Sequence, residues 1–431
     1  YEGTVYRWNF SISNTNQIYT HKLTNKLFEL EGDNYSGFIS KYSQNGKVAP
    51  QHFVVRAEDD VTVYALNKAQ TTSDAAAIFP RDVLGTNYTI VSYNSNGIIQ
   101  QTNSGIVDGR TPSQFAIVGT DNGTIVNIFP TSNVKGTKNR ITVNLDSGEV
   151  YLVQPDLPYL DVKEDLTGTK IISSKPVAVF AGHQRALVPW NVTNVNSRDY
   201  LFSQMRPDET HGKKYIITPF PPTKLTSNNG KDVYRVVALE DNTIVTLNGN
   251  FLANLNAGEY VENFLTSAGI IESDKQIIVS QYKGSNTIPN LSNYTYMSDP
   301  FMILVPPMKQ YLKDYNVTNI QVETIDQQFS EHFITIICPT AYINTLRING
   351  LDVNPNKFQE IPNTCFSYSI IPQSEGSKKL TCEKPFGVYA YGYGRADSYG
   401  YVGGMSFNKE EELIPRTISN PRVVCGEDTV Q

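Results

Sequence analysis

The chain lacks both the positive charge of a nucleic-acid-binding protein and the apolar runs of a membrane protein. Lys and Arg number 36 against 42 Asp and Glu, which gives a formal net charge of -6 and a pI near 5.5. No basic stripe is therefore available to neutralise successive phosphates. No run of about eighteen apolar residues occurs, and the first residues, YEGTVYRW, do not resemble a signal peptide. We expect no nucleic-acid partner and no membrane span, and a signal peptide, if present, would precede this numbering.

Motifs of catalysis and cofactor binding are also missing. The sequence has no Gly-x-Ser-x-Gly elbow, no His-Glu-x-x-His, no P-loop and no dinucleotide fingerprint. Only His183 and His211 lie near repeated segments, and Asp208 and Glu209 stand close to His211. A metal or acid-base role would need converging partners in a pocket, so hydrogen bonding within loops is the simpler interpretation. We predict no catalytic residue, no metal site and no cofactor.

The cysteines are few, and all of them lie in the last quarter of the chain. Cys338, Cys365, Cys382 and Cys425 show none of the paired spacings that zinc requires. This favours disulfides formed in an oxidising compartment. Successive antiparallel strands return the chain to the same end at every second step, so we expect the first three to lie together. One pair among those three is predicted, with a preference for Cys365 and Cys382, and the remaining one would pair with Cys425.

What the sequence has in abundance is short β-branched and aromatic segments separated by turn residues. RVVAL, TIVTL, QIIVSQY and HFITIIC are examples, and no convincing helix of three turns is found. Asp121-Asn122-Gly123 lies between two such segments and predicts a β-hairpin, because Asn and Gly tolerate the positive φ of a tight turn. The sequence therefore predicts an all-β fold.

One segment of the sequence occurs twice. LTGTKIISSKPVAVFAG at 166–182 returns as LTSAGIIESDKQIIVSQYKG at 265–284, and weaker copies occur near both ends. A repeat of roughly 100 residues with six or seven strands has the size of a β-sandwich, whereas a propeller-like closed array, the alternative, would need shorter repeats. We predict about four β-sandwich-like modules packed together. Their expected bounds are 1–84 (divergent), 85–209, 210–308 and 309–408, followed by a C-terminal tail, 409–431.

Two features of the repeat have structural interpretations. Ser-Ser-Lys-Pro at 173–176 predicts a turn that enters the last strand of its module, because proline has no donor for a sheet ladder. An acidic residue also accompanies each closing strand, and we expect it to accept backbone N–H bonds and fix the connection between modules. Calcium would need several oxygen ligands, which the pattern does not supply. The four acidic residues are Asp74, Asp199, Asp299 and Asp397.

Sequons for N-glycosylation are present but are not enriched beyond what the abundance of Asn, Ser and Thr produces. Asn122 also matches one, but its position in a turn suggests a structural role. The candidate glycosylation sites are Asn9, Asn34, Asn87, Asn191, Asn290, Asn293 and Asn316.

Three separated motifs carry a family resemblance. GTKIISSKPVAVFAGHQRALVP, RDYLFSQMRPDETHGKKYIITP and RADSYGYVGG resemble the N-terminal domain of the IgGFc-binding protein family, over about Gly3 to Phe407. The resemblance implies an extracellular, non-enzymatic module of mucin-associated secreted proteins and of cell-surface proteins. Family members often carry a cysteine after the "FAG" strand, and this chain does not. A function that depends on that cysteine is not implied.

Together these observations predict an extracellular binding or adhesion module that presents loops to a protein or glycan partner. The loop between the repeated strands is the predicted contact surface. Its candidate residues are His183, Arg185, Trp190, Asn191 and Arg198. Two alternatives remain: a structural protein that self-associates into filaments, and a carbohydrate-active enzyme with two carboxylates about 5 to 10 Å apart.

Overall fold

A computed structural model of the protein describes residues 6–14, 17–23, 30–31, 44–69, 72–97, 99–102, 105–157, 164–190, 197–222, 231–286, 298–322 and 329–407. With 53% strand and 5% helix, it confirms the all-β prediction. The helical residues described are short 3₁₀ turns: Arg81–Val83, Asp208–Thr210, Met308–Gln310, Thr340–Thr345 and Pro355–Lys357.

Three short strands come first. They are β1 (Val48–Ala49), β2 (Val63–Ala69) and β3 (Thr72–Ile78). β2 and β3 form an antiparallel hairpin. β1 instead joins the edge of the first large sheet, so the N-terminal part of the chain is tied to the part that follows.

The first large sheet has the strand order β1-β10-β7-β11-β8-β9, and β4 and β12 also pair with β11. β5 and β6 form a separate hairpin. The strands are β4 (Gly85–Thr89), β5 (Ile99–Thr102), β6 (Gly105–Asp108), β7 (Ser113–Gly119), β8 (Thr124–Phe129), β9 (Ile141–Leu145), β10 (Val150–Val153), β11 (Lys170–Ala186) and β12 (Asp199–Gln204).

The second large sheet repeats this plan with the order β16-β15-β18-β14-β17, and β13 and β19 also pair with β18. Its strands are β13 (Gly212–Ile217), β14 (Val233–Ala238), β15 (Thr243–Leu247), β16 (Asn250–Leu255), β17 (Tyr260–Phe264), β18 (Gly269–Tyr282) and β19 (Met302–Leu304).

The third large sheet has the order β23-β22-β26-β21-β25-β24, and β20 and β27 also pair with β26. Its strands are β20 (Leu312–Asn319), β21 (Phe329–Pro339), β22 (Arg347–Ile348), β23 (Leu351–Asp352), β24 (Gln359–Glu360), β25 (Phe366–Gln373), β26 (Gly376–Gly394) and β27 (Asp397–Val402).

Each large sheet is built around one long strand that changes partners along its length. Residues 170–173 of β11 pair with β8, whereas residues 177–183 pair with β7. β18 and β26 change partners in the same way. The sheet therefore curls into two arms that share one strand. This repeated order agrees with the echo in the sequence, while the number of modules and their bounds stay predictions.

The Ser-Ser-Lys-Pro segment is not a turn between two strands, so that prediction was wrong. Residues 173–176 form a β-bulge inside β11, where the register against β4 shifts between Ile172 and Val177. Ser173 Oγ donates to the carbonyl of Lys175 (2.7 Å), and Ser273 Oγ donates to that of Lys275 (2.5 Å) in the second sheet. A hydroxyl that bonds the local backbone stabilises such a bulge. The sequence segment is repeated because each long strand must bend where it passes from one arm of its sheet to the other.

The hairpin predicted at Asp121-Asn122-Gly123 was also wrong. The segment does turn, and Gly123 has a φ of 65°. However, β7 and β8 do not pair with each other, because both flank β11. The turn therefore carries the chain from one arm of the sheet to the other.

The short closing strands β3, β12, β19 and β27 meet at a central junction, and the hydrophobic cores cross from one sheet to the next. One core joins Val179 of the first sheet to Ile278 of the second. Another joins Val236 of the second sheet to Tyr391 of the third. A third core places Ala75 of β3 against the third sheet. The sheets are thus packed around the junction as a closed group.

A buried arginine links the first and second sheets. Arg235 is fully buried and donates to Asp165 Oδ2 and to Glu262 Oε2, both at 2.7 Å. Its guanidinium also lies 4.2 Å from the ring centroid of Tyr93 and 4.5 Å from that of Tyr260. The charge is removed from water but compensated from both sides of the interface.

The preferred cysteine pair is not formed, because Cys382 carries a free thiol beside Cys338. Cys365 is disulfide-bonded, and Cys425 lies outside the described residues. Cys338 lies opposite Ser367, and Cys365 lies two residues before Ser367, immediately before β25 begins. The carbonyl of Cys365 accepts a hydrogen bond from the amide of Thr340 (2.9 Å).

Candidate functional site

The structure separates the residues of the predicted contact loop into buried and accessible ones. His183 lies in β11 between Ser113 and Leu201 and is fully buried. Its Nδ1 accepts a hydrogen bond from the amide of Arg185 (2.8 Å), and its Nε2 lies 3.4 Å from Nδ2 of Asn96. Burial lowers the pKa of His183 to about 3, so the ring is neutral. This histidine orders the end of β11 rather than facing a partner.

The other candidates lie nearer the surface. Arg185 is exposed, although its carbonyl accepts hydrogen bonds from Asn96 and Thr111, both at 2.9 Å. Trp190 is half-buried and packs against the core of the first sheet. Arg198 is half-buried, and burial, together with the charge of Arg185, lowers its pKa. Asn191 lies outside the described residues.

The two ends of this loop are fastened to a second loop. The β11–β12 connector (187–198) and the β18–β19 connector (283–301) occupy equivalent places in the first and second sheets. The amide of Ser285 donates to the carbonyl of Val188 (2.7 Å), and the amide of Val188 donates to Ser285 Oγ (2.9 Å). Ser197 and Asn286 exchange a similar pair of bonds at 3.1 and 2.7 Å. The two connectors therefore leave the fold side by side.

Sequence reasoning missed this second connector and the residues that fasten it. Ser197, Ser285 and Asn286 are buried polar residues with no motif around them. The signal that could have revealed them is the alignment of the two copies, which places both long insertions after the same strand.

Asp74 lies at the centre of the junction beneath the connectors. Its Oδ2 accepts hydrogen bonds from the amides of Phe202 in β12 (2.9 Å) and Met302 in β19 (3.1 Å). Its Oδ1 accepts from the amides of Ala75 in β3 (2.8 Å) and Gly400 in β27 (3.2 Å). One carboxylate thus binds all four closing strands.

Asp199 and Asp397 connect β12 and β27 to the β2–β3 hairpin. Asp199 Oδ1 accepts from Thr72 Oγ1 (2.5 Å) and from the amide of Ser73 (2.6 Å). Asp397 accepts from Ser73 Oγ and forms an ion pair with Lys68. These bonds attach the N-terminal hairpin to two of the large sheets.

Of the four acidic residues, Asp299 has the fewest hydrogen bonds to its carboxyl group. Its carboxyl is hydrogen-bonded to Ser197 at the base of the first connector, while its buried Oδ1 has no partner among the described residues. Burial raises the pKa of Asp299 to about 7, and Asp397 adds to the rise. Burial, together with the charges of Asp397 and Asp299, also raises the pKa of Asp199 well above its usual range. These acids are buried and do not line a groove.

No group of three or more His, Cys, Asp or Glu in the described part of the chain is arranged to hold a metal ion. His211, the other histidine near the repeats, is buried beside Arg206, and burial lowers its pKa well below the usual value. No helix within the described ranges has the length and apolar character that crossing a bilayer requires.

The candidate glycosylation sites have different surroundings. Asn9 and Asn316 are exposed, and Asn87 is half-buried on β4. Asn122 is exposed in its turn, where its Oδ1 accepts from the amide of Ser147 (3.0 Å). The sites that lie outside the described residues are Asn34, Asn191, Asn290 and Asn293.

Comparison with known proteins places the chain in a family. A family model described as IgGFc binding protein matches residues 74–392. The chain is 24% identical over 366 residues to the IgGFc-binding protein of Homo sapiens, an alignment that covers 83% of this chain but only 6% of the human protein. No solved structure matches the chain. Because the family model covers well over half of its length, the chain belongs to the IgGFc-binding protein family.

Proposed function

We propose that this chain is an extracellular, non-enzymatic binding module that presents the β11–β12 and β18–β19 connectors together to a protein or glycan partner. Membership of the IgGFc-binding family supports a binding role. The proposal for the site rests on the two connectors, which leave the fold side by side from hydrogen-bonded ends.

The length of these connectors is the observation that carries the proposal. The same step from a long strand to a closing strand is made by residues 395–396 alone between β26 and β27. The fold therefore does not need residues 187–198 or 283–301 to join their strands. Insertions that the fold does not require, held on a rigid scaffold, are typical of binding loops.

The composition of the connectors suits recognition. Residues 187–198 contain Trp190 among several Asn residues, and residues 283–301 are rich in Asn, Ser, Thr and Tyr. Aromatic side chains provide contact area at low entropic cost, and short polar side chains supply adaptable hydrogen bonds. The same residue types serve protein and glycan ligands.

The human relative supplies the first ligand to test, because its name states that it binds IgG Fc. Purified chain would be applied to immobilised Fc and to an array of glycans and secreted proteins. Replacing residues 191–196 with Gly and Ser, and separately residues 287–297, should each weaken binding of any specific ligand at least tenfold. The matched control is Leu351→Ser in the exposed β22–β23 hairpin of the third sheet, which should leave binding unchanged.

A specific ligand whose affinity is the same for both connector variants and the wild-type chain would show that the contact surface lies elsewhere. Circular dichroism and thermal unfolding of each variant would establish that the scaffold remains folded. Mass measurement of the secreted protein before and after glycan removal would show which sequons are occupied.

A further inference from the structure

Two cysteines of the third sheet meet in its interior. Cys338 is the penultimate residue of β21, Cys382 lies in β26, and their Sγ atoms are 3.7 Å apart. Cys338 is fully buried, and Cys382 is 7% exposed. A disulfide needs the sulfurs to approach to about 2.05 Å, which a small side-chain movement can supply from this separation.

The two thiols belong to different arms of the curled sheet. Cys338 lies opposite Ser367 of β25, in the arm that contains the second half of β26. Cys382 follows Thr381, which lies opposite Arg347 of β22 in the other arm. A bond between them would therefore join the two arms directly, at the place where β26 passes from one to the other.

The repeat explains how both cysteines fit the fold. Cys382 in the segment TCEKP corresponds to Ser173 in ISSKP, the serine that stabilises the bulge of β11. By the strand registers, Cys338 corresponds to Ala238 in β14. The other two sheets have serine at the first position, and at the second they have alanine (Ala238) or glycine (Gly119). The two cysteines are thus not required for the bulge or the strand, and they come together only in the third sheet.

The surroundings prepare Cys382 to act as a nucleophile. Its sulfur lies within 3.3 Å of Thr345 Oγ1. The hydrogen bond from Cys338, helped by Thr345 and by the amides of Glu383 and Lys384, lowers the pKa of Cys382 to about 6. The same hydrogen bond, with burial, raises the pKa of Cys338. The two shifts favour the proton on Cys338 and make Cys382 the better nucleophile of the pair.

We propose that Cys338 and Cys382 form an inter-arm disulfide when the folded chain meets a low-molecular-weight disulfide such as oxidised glutathione, independently of the disulfide at Cys365. Cys382 Sγ attacks one sulfur of the oxidant, whose S–S bond breaks and releases one glutathione thiol after protonation. Cys338 then loses its proton and attacks Cys382 Sγ, which releases the second glutathione. Two protein thiols are oxidised and one external disulfide is reduced.

The experiment uses the purified full chain before and after incubation with oxidised glutathione. Denaturation, alkylation with iodoacetamide, digestion and mass spectrometry would follow without reduction. We expect a cross-linked peptide that joins Cys338 to Cys382 and the loss of alkylation at both residues. Recovery of both residues in alkylated form after oxidant treatment, or a cross-link from either one to Cys365, would overturn the proposal.

Two variants that keep the fold test the order of the steps. Cys338→Ser keeps a hydrogen-bond donor beside Cys382 but removes the resolving thiol, so it should accumulate a glutathione adduct on Cys382. Cys382→Ser should accumulate no adduct, because Cys338 is buried and protonated. Oxidation should raise Tm of the wild-type chain by roughly 5 °C, and it should leave Tm of both variants unchanged. Equal adduct formation on both variants, or an equal rise in Tm, would contradict the mechanism.

Discussion

Asp74 and Asp299 lie at equivalent strands of the same junction, but their carboxyl groups have different hydrogen-bond partners. Both oxygens of Asp74 accept backbone hydrogen bonds, and together they reach all four closing strands. Asp299 keeps one buried oxygen without a partner among the described residues, and it sits beside the fastened ends of the long connectors. Asp74 therefore holds the four closing strands together. Asp299 has few hydrogen bonds to its carboxyl group and lies beneath the two long connectors.

The largest expected effect on stability comes from removing Asp74, whose carboxylate accepts more hydrogen bonds than that of Asp299. Asp74→Ala leaves four buried amides without their acceptor and should lower the free energy of unfolding by about 5 kcal/mol, because each orphaned donor costs about 1 to 3 kcal/mol. Asp299→Ala is the matched control and should cost much less. Denaturant unfolding of both variants measures the difference, and a loss for Asp299→Ala as large as that for Asp74→Ala would remove the distinction between the two acids.

A second test compares buried arginines instead of acids. Arg235→Met should cost about 3 kcal/mol, because Asp165 and Glu262 would keep buried charges without a counter-ion. Arg206 is also buried, but it donates mainly to neutral acceptors, the carbonyl of Val305 (2.8 Å) and the side chain of Gln310 (3.1 Å). Arg206→Met should therefore cost about 1 to 2 kcal/mol. Equal losses of unfolding free energy would show that charge compensation does not decide the outcome.

The pH dependence of stability offers a finer test. The folded-state pKa of Asp299 is raised to about 7, above its unfolded value of about 3.9, so the stability that it contributes is present at low pH and is lost as pH rises through 7. Asp199 shifts in the same direction. His183 and His211, with lowered pKa values, act in the opposite sense, but only below about pH 6.5.

Between the two pKa values of Asp299, the folded chain holds a proton on this residue that the unfolded chain has lost. We therefore expect Asp299 to lower the free energy of unfolding by about 1 kcal/mol per pH unit as pH rises from about 4 to 7, against the opposing histidines. Lys68 and Arg185 are the cations that oppose the rise in pKa of Asp397 and Asp299. Asp299→Asn should remove this contribution, so the stability difference between the wild-type chain and the variant should change as pH rises from about 4 to 7. Burial also raises the pKa of Asp74 well above its usual range, so Asp74→Asn should lower stability and change the slope in the same direction. A difference in unfolding free energy between the wild-type chain and Asp299→Asn that stays constant from about pH 4 to 7 would contradict the assignment.

The smallest expected effect concerns binding. Asp199→Ala and Asp299→Ala should both lower Tm, yet change the affinity for a connector ligand less than about twofold, because neither carboxylate reaches the surface. Calorimetry and surface plasmon resonance on the same preparations would measure the two quantities. Loss of affinity without loss of Tm would show that these acids act in recognition, and unchanged melting in both variants would remove their connector role.

The repeat and the strands could be predicted because β-branched and aromatic residues mark strands locally. What the sequence does not encode locally is the partner of each strand. Asp121-Asn122-Gly123 has the residues of a hairpin turn, but β11 lies between β7 and β8, and it begins about forty residues further along the chain. Ser-Ser-Lys-Pro similarly has turn residues inside a continuous strand.

The candidate site shows the same limit. His183 and Trp190 stand in a polar stretch and suggest an exposed loop, whereas contacts with Asn96 and with the core of the first sheet place them partly or fully inside. The cysteine pairing depends on where β26 changes arms, which no spacing in the sequence records. Features that depend on neighbouring residues could be predicted from the sequence, whereas features that depend on distant strands could not.

Because one long strand belongs to both arms of each large sheet, neither arm can open without disturbing the ladder of the other. Native-state hydrogen exchange should then show the amides of β7 and β8 becoming unprotected in a single cooperative event, although the two strands never touch by hydrogen bonds. Under a pulling force such a sheet would yield abruptly rather than peel apart arm by arm.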